Sequence, residues 1–364
     1  MRLLPSMPRG NDKRTNRESK VRKADGPVSL KKLAAHLDLS PTTLSMVLNN
    51  SPLANTIPQE TKDRIFEAAR KFDYRPNFIA RSLRSARTYT LGVLVPELSD
   101  GYSAMVLSGL EEHLLKEGYF YFVASHRHRA DLIERYPRLL LERCVEGLIA
   151  VDTPVTHEPP YPVVTVSGQH DARGVTNVLL DHGQAAKLAL EYLTQLGHRQ
   201  IAVIKGQEFS SDTKVRWEAI RDGAGRLGAP IDSSLVTQLE GDLPSPETGY
   251  VAARKLLASG RLFTALFAFN DVSAIGAIRA LQEAGHRVPE DISVIGFDDI
   301  YSAAFHNPAL TTIRQPLREM GRLAAEHLLN RIAKSAEHSF PRVVTVQPEL
   351  VIRHSTAPVE QSGR

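Results

Sequence analysis

The chain has 364 residues, 42% of them hydrophobic, with 45 Lys and Arg against 41 Asp and Glu. That length exceeds one compact core and predicts two or three domains. No window approaches the run of about 20 apolar residues that spans a membrane, and the single cysteine, Cys144, excludes an internal disulfide framework and any multi-cysteine metal site. Cys144 reads as a small buried apolar residue. The N-terminus shows no apolar signal segment, so a cytoplasmic protein is expected. Charge is unevenly spread. Residues 1–27 hold eight Lys and Arg against three Asp and Glu, residues 28–87 hold ten against five, and residues 88–364 hold 27 against 33. A basic head on an acidic body predicts a polyanion bound at one end and a different ligand handled by the rest.

Residues 1–27 are polar and without hydrophobic period, which predicts a disordered basic tail. It either adds non-specific phosphate affinity or is only a solvated tail, and translation could equally begin at Met7. From residue 28 a small helical domain extends to residue 75. Ser29 caps a helix with the apolar stripe Leu30, Leu33, Ala34 and Leu37. Asp38-Leu39 breaks it. Ser40 then caps a second helix that has Pro41 at its first position. Its inward face is Leu44, Val47 and Leu48, while Thr42, Thr43, Ser45 and Met46 are expected to point outward, short enough to approach base edges. Pro58 opens a third helix with the stripe Ile65, Ala68, Ala69 and Phe72. Two short helices with a tight turn and a brace form a helix-turn-helix outline, which many non-DNA-binding bundles share.

Residues 76–87 predict a hinge helix and linker. Asn77 is a good N-cap after Pro76, and Ile79, Ala80 and Leu83 make a small apolar face ringed by Arg75, Arg81, Arg84 and Arg87. Eight residues are too few for a stable isolated helix. Folding against DNA, with an apolar wedge in the minor groove, suits them; an ordinary linker is the alternative.

From residue 88 to 354 strands alternate with helices. Leu91–Pro96, Tyr119–Ala124, Val145–Val151, Pro162–Ser167, Ile201–Ile204, about 235–239, Thr264–Phe269 and Ile292–Gly296 read as strands. The helical patterns lie near 131–144, 183–196, 212–227, 246–259 and 271–285, with another through Met105, Leu107, Leu110 and Leu114. Such alternation predicts an α/β fold with doubly wound parallel sheets. Two successive series predict two lobes with a ligand cleft at the strand carboxyl ends. Pro341–His354 reads as a last strand and crossover, and residues 355–364 as a polar tail.

Val28–Asn49 together with Arg75–Leu83 closely resembles the head and hinge of the lactose/galactose repressor (LacI/GalR) family. Leu196–Ile204, Phe267–Gly276, Val294–Asp299 and Leu310–Pro316 resemble landmarks of its two-lobed body of periplasmic-binding-protein type. The resemblance covers about 28–354. It implies that Pro41–Asn49 is the recognition helix, begun by Ser40, with Pro41, Thr42 and Met46 near bases and Thr43 and Ser45 at phosphate or sugar. It further implies that Asn77, Ala80 and Leu83 form the hinge contact with DNA, Leu83 as the wedge. Met46 departs from the arginine or histidine frequent there. It cannot make a bidentate guanine contact, but it offers an apolar surface to a thymine methyl.

In the body the resemblance implies effector contacts from Tyr102, Ser103, Arg216, Asn270 and Asp298, with Asp299 bracing the turn. Asp298 opposite Arg216 suits a polyhydroxylated ligand such as a sugar, because each hydroxyl can accept from guanidinium and donate to carboxylate; a structural ion pair across the cleft is the other reading. Leu243 and Ser103 stand where aromatic residues are common, which predicts a pocket poor in stacking surface. His126 and His128 near the cleft mouth are metal ligands or exposed loop histidines, the second reading being preferred. No nucleophile–base arrangement, Walker motif or dinucleotide motif is evident. The expectation is therefore a non-enzymatic transcriptional regulator without cofactor, a repressor that binds a near-palindromic double-stranded operator under small-molecule control. No C-terminal leucine heptad follows, so a homodimer is expected. A solute-binding protein and an α/β enzyme on the same body are the rivals.

Overall fold

The computed structural model describes residues 28–49, 51–74, 82, 87–99, 101–155, 157–168, 172–241, 245–333 and 339–359. The chain divides into two compact units, Met1–Ala86 and Arg87–Arg364. The expected basic tail, most of the hinge segment with Asn77, Ala80 and Leu83, and Leu243 lie outside the described residues.

The first unit contains α1 (Leu30–Leu37), α2 (Pro41–Leu48), a 3₁₀ turn (Pro52–Thr56) and α3 (Gln59–Lys71). Ser29 and Ser40 cap α1 and α2 by accepting from the backbone N–H groups of Lys32 and Thr43. Between them Asp38 takes the left-handed conformation at φ 54°, which an aspartate tolerates better than a branched residue. Leu33, Ala34, Leu44, Val47, Ala54, Ile65 and Ala68 form the core. The 3₁₀ turn links α2 to α3, and its Ala54 joins that core.

The second unit has two six-stranded sheets. One has the order β11-β5-β4-β3-β1-β2, from β1 (Thr90–Val95), β2 (Phe120–Ser125), β3 (Leu148–Val151), β4 (Val163–Val166), β5 (Val175–Leu180) and β11 (Val343–Val346). The other runs β12-β10-β9-β8-β6-β7, from β6 (Ile201–Lys205), β7 (Val236–Gln238), β8 (Ala265–Ala268), β9 (Ser293–Asp298), β10 (Thr311–Arg314) and β12 (Glu349–Val351). Pairing is parallel except between β10 and β12. The central strands are buried along their length, as continuous apolar runs require when helices cover both faces.

Helices α4 (Gly101–Lys116), α5 (Ala130–Leu141) and α11 (Leu317–Ala333) serve the first lobe. Helices α6 (His182–Gln195), α7 (Ser211–Arg226), α8 (Pro246–Ala258), α9 (Asp271–Glu283) and the short α10 (Tyr301–Phe305) serve the second. The chain therefore crosses between lobes three times, at 181, 315–316 and 347–348. The last strand and crossover expected at 341–354 are β11 and the passage at 347–348, and a further short strand, β12, follows in the other lobe. At the α4–α11 crossing a Cβ on Gly109 would lie 1.8 Å from the Arg318 carbonyl oxygen, and one on Gly321 would lie 2.0 Å from that of Val106. Only glycine allows that approach. Cys144 is exposed at φ 58°, ending the turn after α5, and does not fill the core as expected.

Candidate functional site

In the head, Ser40, Pro41, Thr42 and Asn49 are exposed on α2, and Thr43 and Met46 are half-buried. The Ser40 hydroxyl serves twice: it accepts from Thr43 N at 3.0 Å and lies 2.8 Å from Thr43 Oγ1. Ser45 does not point outward as expected. It is buried, and its hydroxyl and carbonyl oxygens both accept from Asn49 Nδ2, at 3.2 and 2.7 Å. The reason is rotational: position 45 follows Leu44 on the side of α2 that turns under the core. Ser45 thus orients Asn49, the exposed member of the pair.

In the second unit a cavity of about 70 Å³ lies between the lobes. Tyr102, His128 and Asp152 line it from the first lobe, and Asp212, Arg216, Phe269, Asn270 and Asp298 from the second. Its volume falls short of the roughly 300–1,000 Å³ of small-molecule sites, because side chains reach across. Asp152 Oδ1 accepts from Ser211 N at 3.0 Å and from Ser211 Oγ at 2.6 Å. The Ser211 hydroxyl also donates to the Ser167 carbonyl, and the Tyr102 hydroxyl donates to Ser167 Oγ at 2.9 Å. His128 stacks on Phe209 with ring centroids 3.8 Å apart.

Arg216 is buried at 4% exposure. Its guanidinium lies 3.6 Å from the Phe297 ring centroid and 4.3 Å from that of Phe269, and Nη1 donates to the Phe269 carbonyl at 2.5 Å. Nη2 pairs with Asp212 Oδ2 at 3.4 Å, and His182 Nε2 lies 3.2 Å from Asp212 Oδ1. Arg216 Nε and Gln315 Oε1 are buried without a hydrogen-bond partner. Asn270 caps α9: its Oδ1 accepts from Ser273 N at 2.9 Å, so its Nδ2 is the group left to donate to a ligand. Asp298 Oδ1 accepts from Gln315 Nε2 at 2.6 Å. Asp298 and Asp299 both take positive φ, 105° and 58°, at the end of β9, a conformation that persists where surroundings hold it. Asp299 supplies that hold through Arg353 at 2.6 Å and Arg314 at 2.8 Å.

Burial, and then the charge of Asp212, pushes the Asp152 carboxyl up to about 7. Burial also raises the Tyr102 phenol, with the fields of Asp212 and Asp152 adding to it. Glu97 is held below the ordinary carboxylate range by the backbone N–H of Leu98. His126 is brought down to about 4 by burial, then by His128. It is not an exposed loop histidine: it is fully buried, with Nε2 2.8 Å from Thr153 Oγ1.

Of the expected contacts, Tyr102, Arg216, Asn270 and Asp298 line one cavity, while Ser103 is buried in α4 and is absent from its lining. Arg216 and Asp298 both belong to the second lobe, so they form no ion pair across the cleft; the carboxylate paired with Arg216 is Asp212. The pocket is not poor in rings, since Phe209 and Phe269 line it with His128. Asp152, Asp212, Phe209, Phe269 and Gln315 went unnoticed in the sequence. Asp212 alone had a local signal, an acid one turn before Arg216.

A periplasmic binding protein-like domain model matches residues 190–356. The HTH-type transcriptional repressor PurR of Pasteurella multocida is 32% identical over 336 residues, covering 90% of this chain and 98% of that protein. PurR of Aliivibrio fischeri is 34% identical over 343 residues, with the same two coverages. Among solved structures, the Lac repressor dimer bound to operator and the anti-inducer ONPF superposes with a TM-score of 0.78 at 25% identity, covering 91% of this chain and all of that one. The transcriptional regulator CelR in complex with cellobiose gives 0.65 at 26% identity, covering 90% and 99%. Head, two-lobed body and cleft are matched in a single alignment along nearly the full length of these relatives, and the chain belongs to the LacI family of HTH-type transcriptional repressors.

Proposed function

We propose that this chain represses transcription as a homodimer on a near-palindromic operator, and that a small polar molecule held between the lobes sets its operator affinity. The observation that carries the reading is the cleft: one site where Arg216, Asn270, Asp298 and Tyr102 converge, with buried polar atoms of Arg216 and Gln315 awaiting partners. Unmet buried polar groups are costly in a folded protein and mark places where a ligand completes the bonding. The Lac repressor dimer with operator and CelR with cellobiose support DNA and sugar-sized ligands as the two partners. No helix among the described residues is long and apolar enough to cross a membrane. Relatives named as repressors favour regulation over catalysis.

In this reading Pro41, Thr42 and Met46 meet base edges. Ser40, Thr43 and Asn49 meet the phosphate backbone, and Ser45 holds Asn49. Asn77, Ala80 and Leu83 form the hinge contact. Exposed Phe120 and Phe122 on the edge strand β2 offer apolar surface to the second copy. An effector controls DNA binding only by its differential affinity for two arrangements of the lobes; the Asp152–Ser211 contact distinguishes a closed arrangement from an open one.

Selection of binding sites from random duplex DNA tests the reading. A palindrome bound at least tenfold more weakly by Leu83→Ala is expected, with affinity that shifts when cleft ligands are added. An operator affinity indifferent both to Leu83→Ala and to every ligand would overturn it.

A further inference from the structure

We propose that the recognition helix reads its half-site through the 5-methyl groups of thymine, with Met46 and Thr42 selecting A·T pairs over guanine; this rests on the operator reading above and names the base class it recognises. Residues 39–59, which contain all of α2 and the 3₁₀ turn, hold no Lys, Arg, His, Asp or Glu, although 24% of the chain is Asp, Glu, Lys or Arg. Bidentate reading of guanine takes an arginine or lysine, and reading of cytosine takes a carboxylate; this stretch supplies neither. Leu44 and Val47 are buried in the core of the head. The opposite side of α2 therefore carries Thr42, Met46 and Asn49, at the i, i+4, i+7 spacing of one helix face. Asn49 is turned back on its own helix: Nδ2 donates to the Ser45 carbonyl at 2.7 Å and to Ser45 Oγ at 3.2 Å. A bidentate adenine contact needs the amide edge presented to the base, and the two bonds to Ser45 hold that edge away. Base readout falls to the other two. Thr42 is exposed; its hydroxyl can bond to any base, but its methyl suits only an apolar neighbour. Met46 packs against the core of the head and stays partly exposed, so its side chain is restricted before DNA arrives and the contact costs less entropy. Pro41, exposed one residue earlier, adds a ring without a donor. In the major groove the apolar group that a base offers is the thymine 5-methyl. Burying it against Met46 is favourable, whereas a guanine there loses water from N7 and O6 and gains no donor from the thioether.

Full-length protein selects operators from random duplex DNA, and each thymine of the selected half-sites is then replaced by deoxyuridine, at the same position in both half-sites. The exchange removes one methyl per half-site and leaves every hydrogen-bonding group in place. At one thymine or more, affinity is expected to fall about fourfold per methyl, the factor for losing burial of one methylene-sized group, and so roughly fifteenfold for the pair. In Met46→Ala the fall at that thymine should largely disappear. This ratio compares two DNAs on one protein, so any loosening of the head by the substitution cancels. Met46→Arg, carried through a fresh selection, is expected to return guanine at the same position. If no thymine responds to deoxyuridine, or the response is as large in Met46→Ala, the inference is overturned, while an enriched palindrome leaves the operator reading standing. An unchanged consensus from Met46→Arg also overturns it. No enriched sequence with the parent protein overturns the operator reading and the inference with it.

Discussion

Asp152 and Ser211 belong to different lobes, and they meet: one carboxylate oxygen accepts from both the amide and the hydroxyl of the serine, at 3.0 and 2.6 Å. Ser211 is the first residue of α7, so the carboxylate also sits at the positive end of a helix dipole. Above pH 7, where the Asp152 carboxyl is ionised, a bond of this kind contributes about 1.5–3 kcal/mol. Ser211→Ala is expected to shift the lobes toward an open arrangement roughly tenfold or more. Hydrogen exchange at the start of α7 should rise, and the radius of gyration from small-angle scattering should increase. Unchanged exchange would mean that the contact does not hold the lobes.

Asp152 also makes stability depend on pH. Its folded value, about 7, lies above the ordinary 3.8, so between those values the native state holds a proton that the unfolded state has lost. Stability therefore falls as pH rises from about 4 through 7 and is level in this respect above it. Burial and Asp212 set the shift, and Tyr102, Asp298, Glu97, Arg216 and His128 line the same cavity. The whole effect is on the order of 4 kcal/mol at most. Asp152→Asn should raise the melting temperature relative to the parent at pH 8, and the gap should narrow by pH 5 and close only below about pH 4. A constant gap would exclude Asp152 as the titrating group.

Removing Arg216 takes the guanidinium away from the buried Asp212 carboxylate, whose Oδ1 lies 3.2 Å from His182 Nε2. Breaking a buried pair by deleting one partner costs about 3–5 kcal/mol. Arg216→Ala is expected to lose that much in denaturant unfolding of the body. Arg216→Lys should retain more stability but lose at least tenfold in effector response, since an ammonium cannot both stack on Phe297 and reach Asp212.

Gly109→Ala places a methyl within 1.8 Å of the Arg318 carbonyl oxygen. The helices must separate, at a cost of about 1–3 kcal/mol or more. The loss should appear as a lower denaturation midpoint, while Gly225→Ala, in open space on α7, should leave the midpoint unchanged or raise it.

In the head, Ser40→Ala removes the acceptor of Thr43 N. The helix is expected to lose about 1 kcal/mol, read as weaker operator binding with ligand affinity of the body unaltered. Leu44→Ala, which empties a fully buried site, should cost more, about 2–5 kcal/mol.

Much of this molecule could be read along the chain. Caps at Ser29 and Ser40, the stripe of α3 and the apolar runs of β1, β3 and β9 are short-range signals, and each element formed within a few residues of its expected place. β5, β10 and α11 were not picked out as elements. β10 is a short strand at a crossover, and β11 and β12 look continuous until the sheets separate them. Four of the five expected cleft residues line one cavity, because strand ends and a helix N-terminus place them wherever the fold is adopted. Whether Ser45, Ser103, His126 and Cys144 were exposed depended on which neighbour covered each, and sequence periodicity does not carry that. The alignment of Asp152 with Ser211, 59 positions apart, and the surrounding carboxylates arise only when two lobes close. The sequence by itself determined the elements, the two-lobed class and the family resemblance, through local propensity and pattern. The tertiary structure decided the charge of the cleft, the partner of Arg216 and the contact that joins the lobes, because electrostatics and packing act through space between residues that the chain keeps far apart.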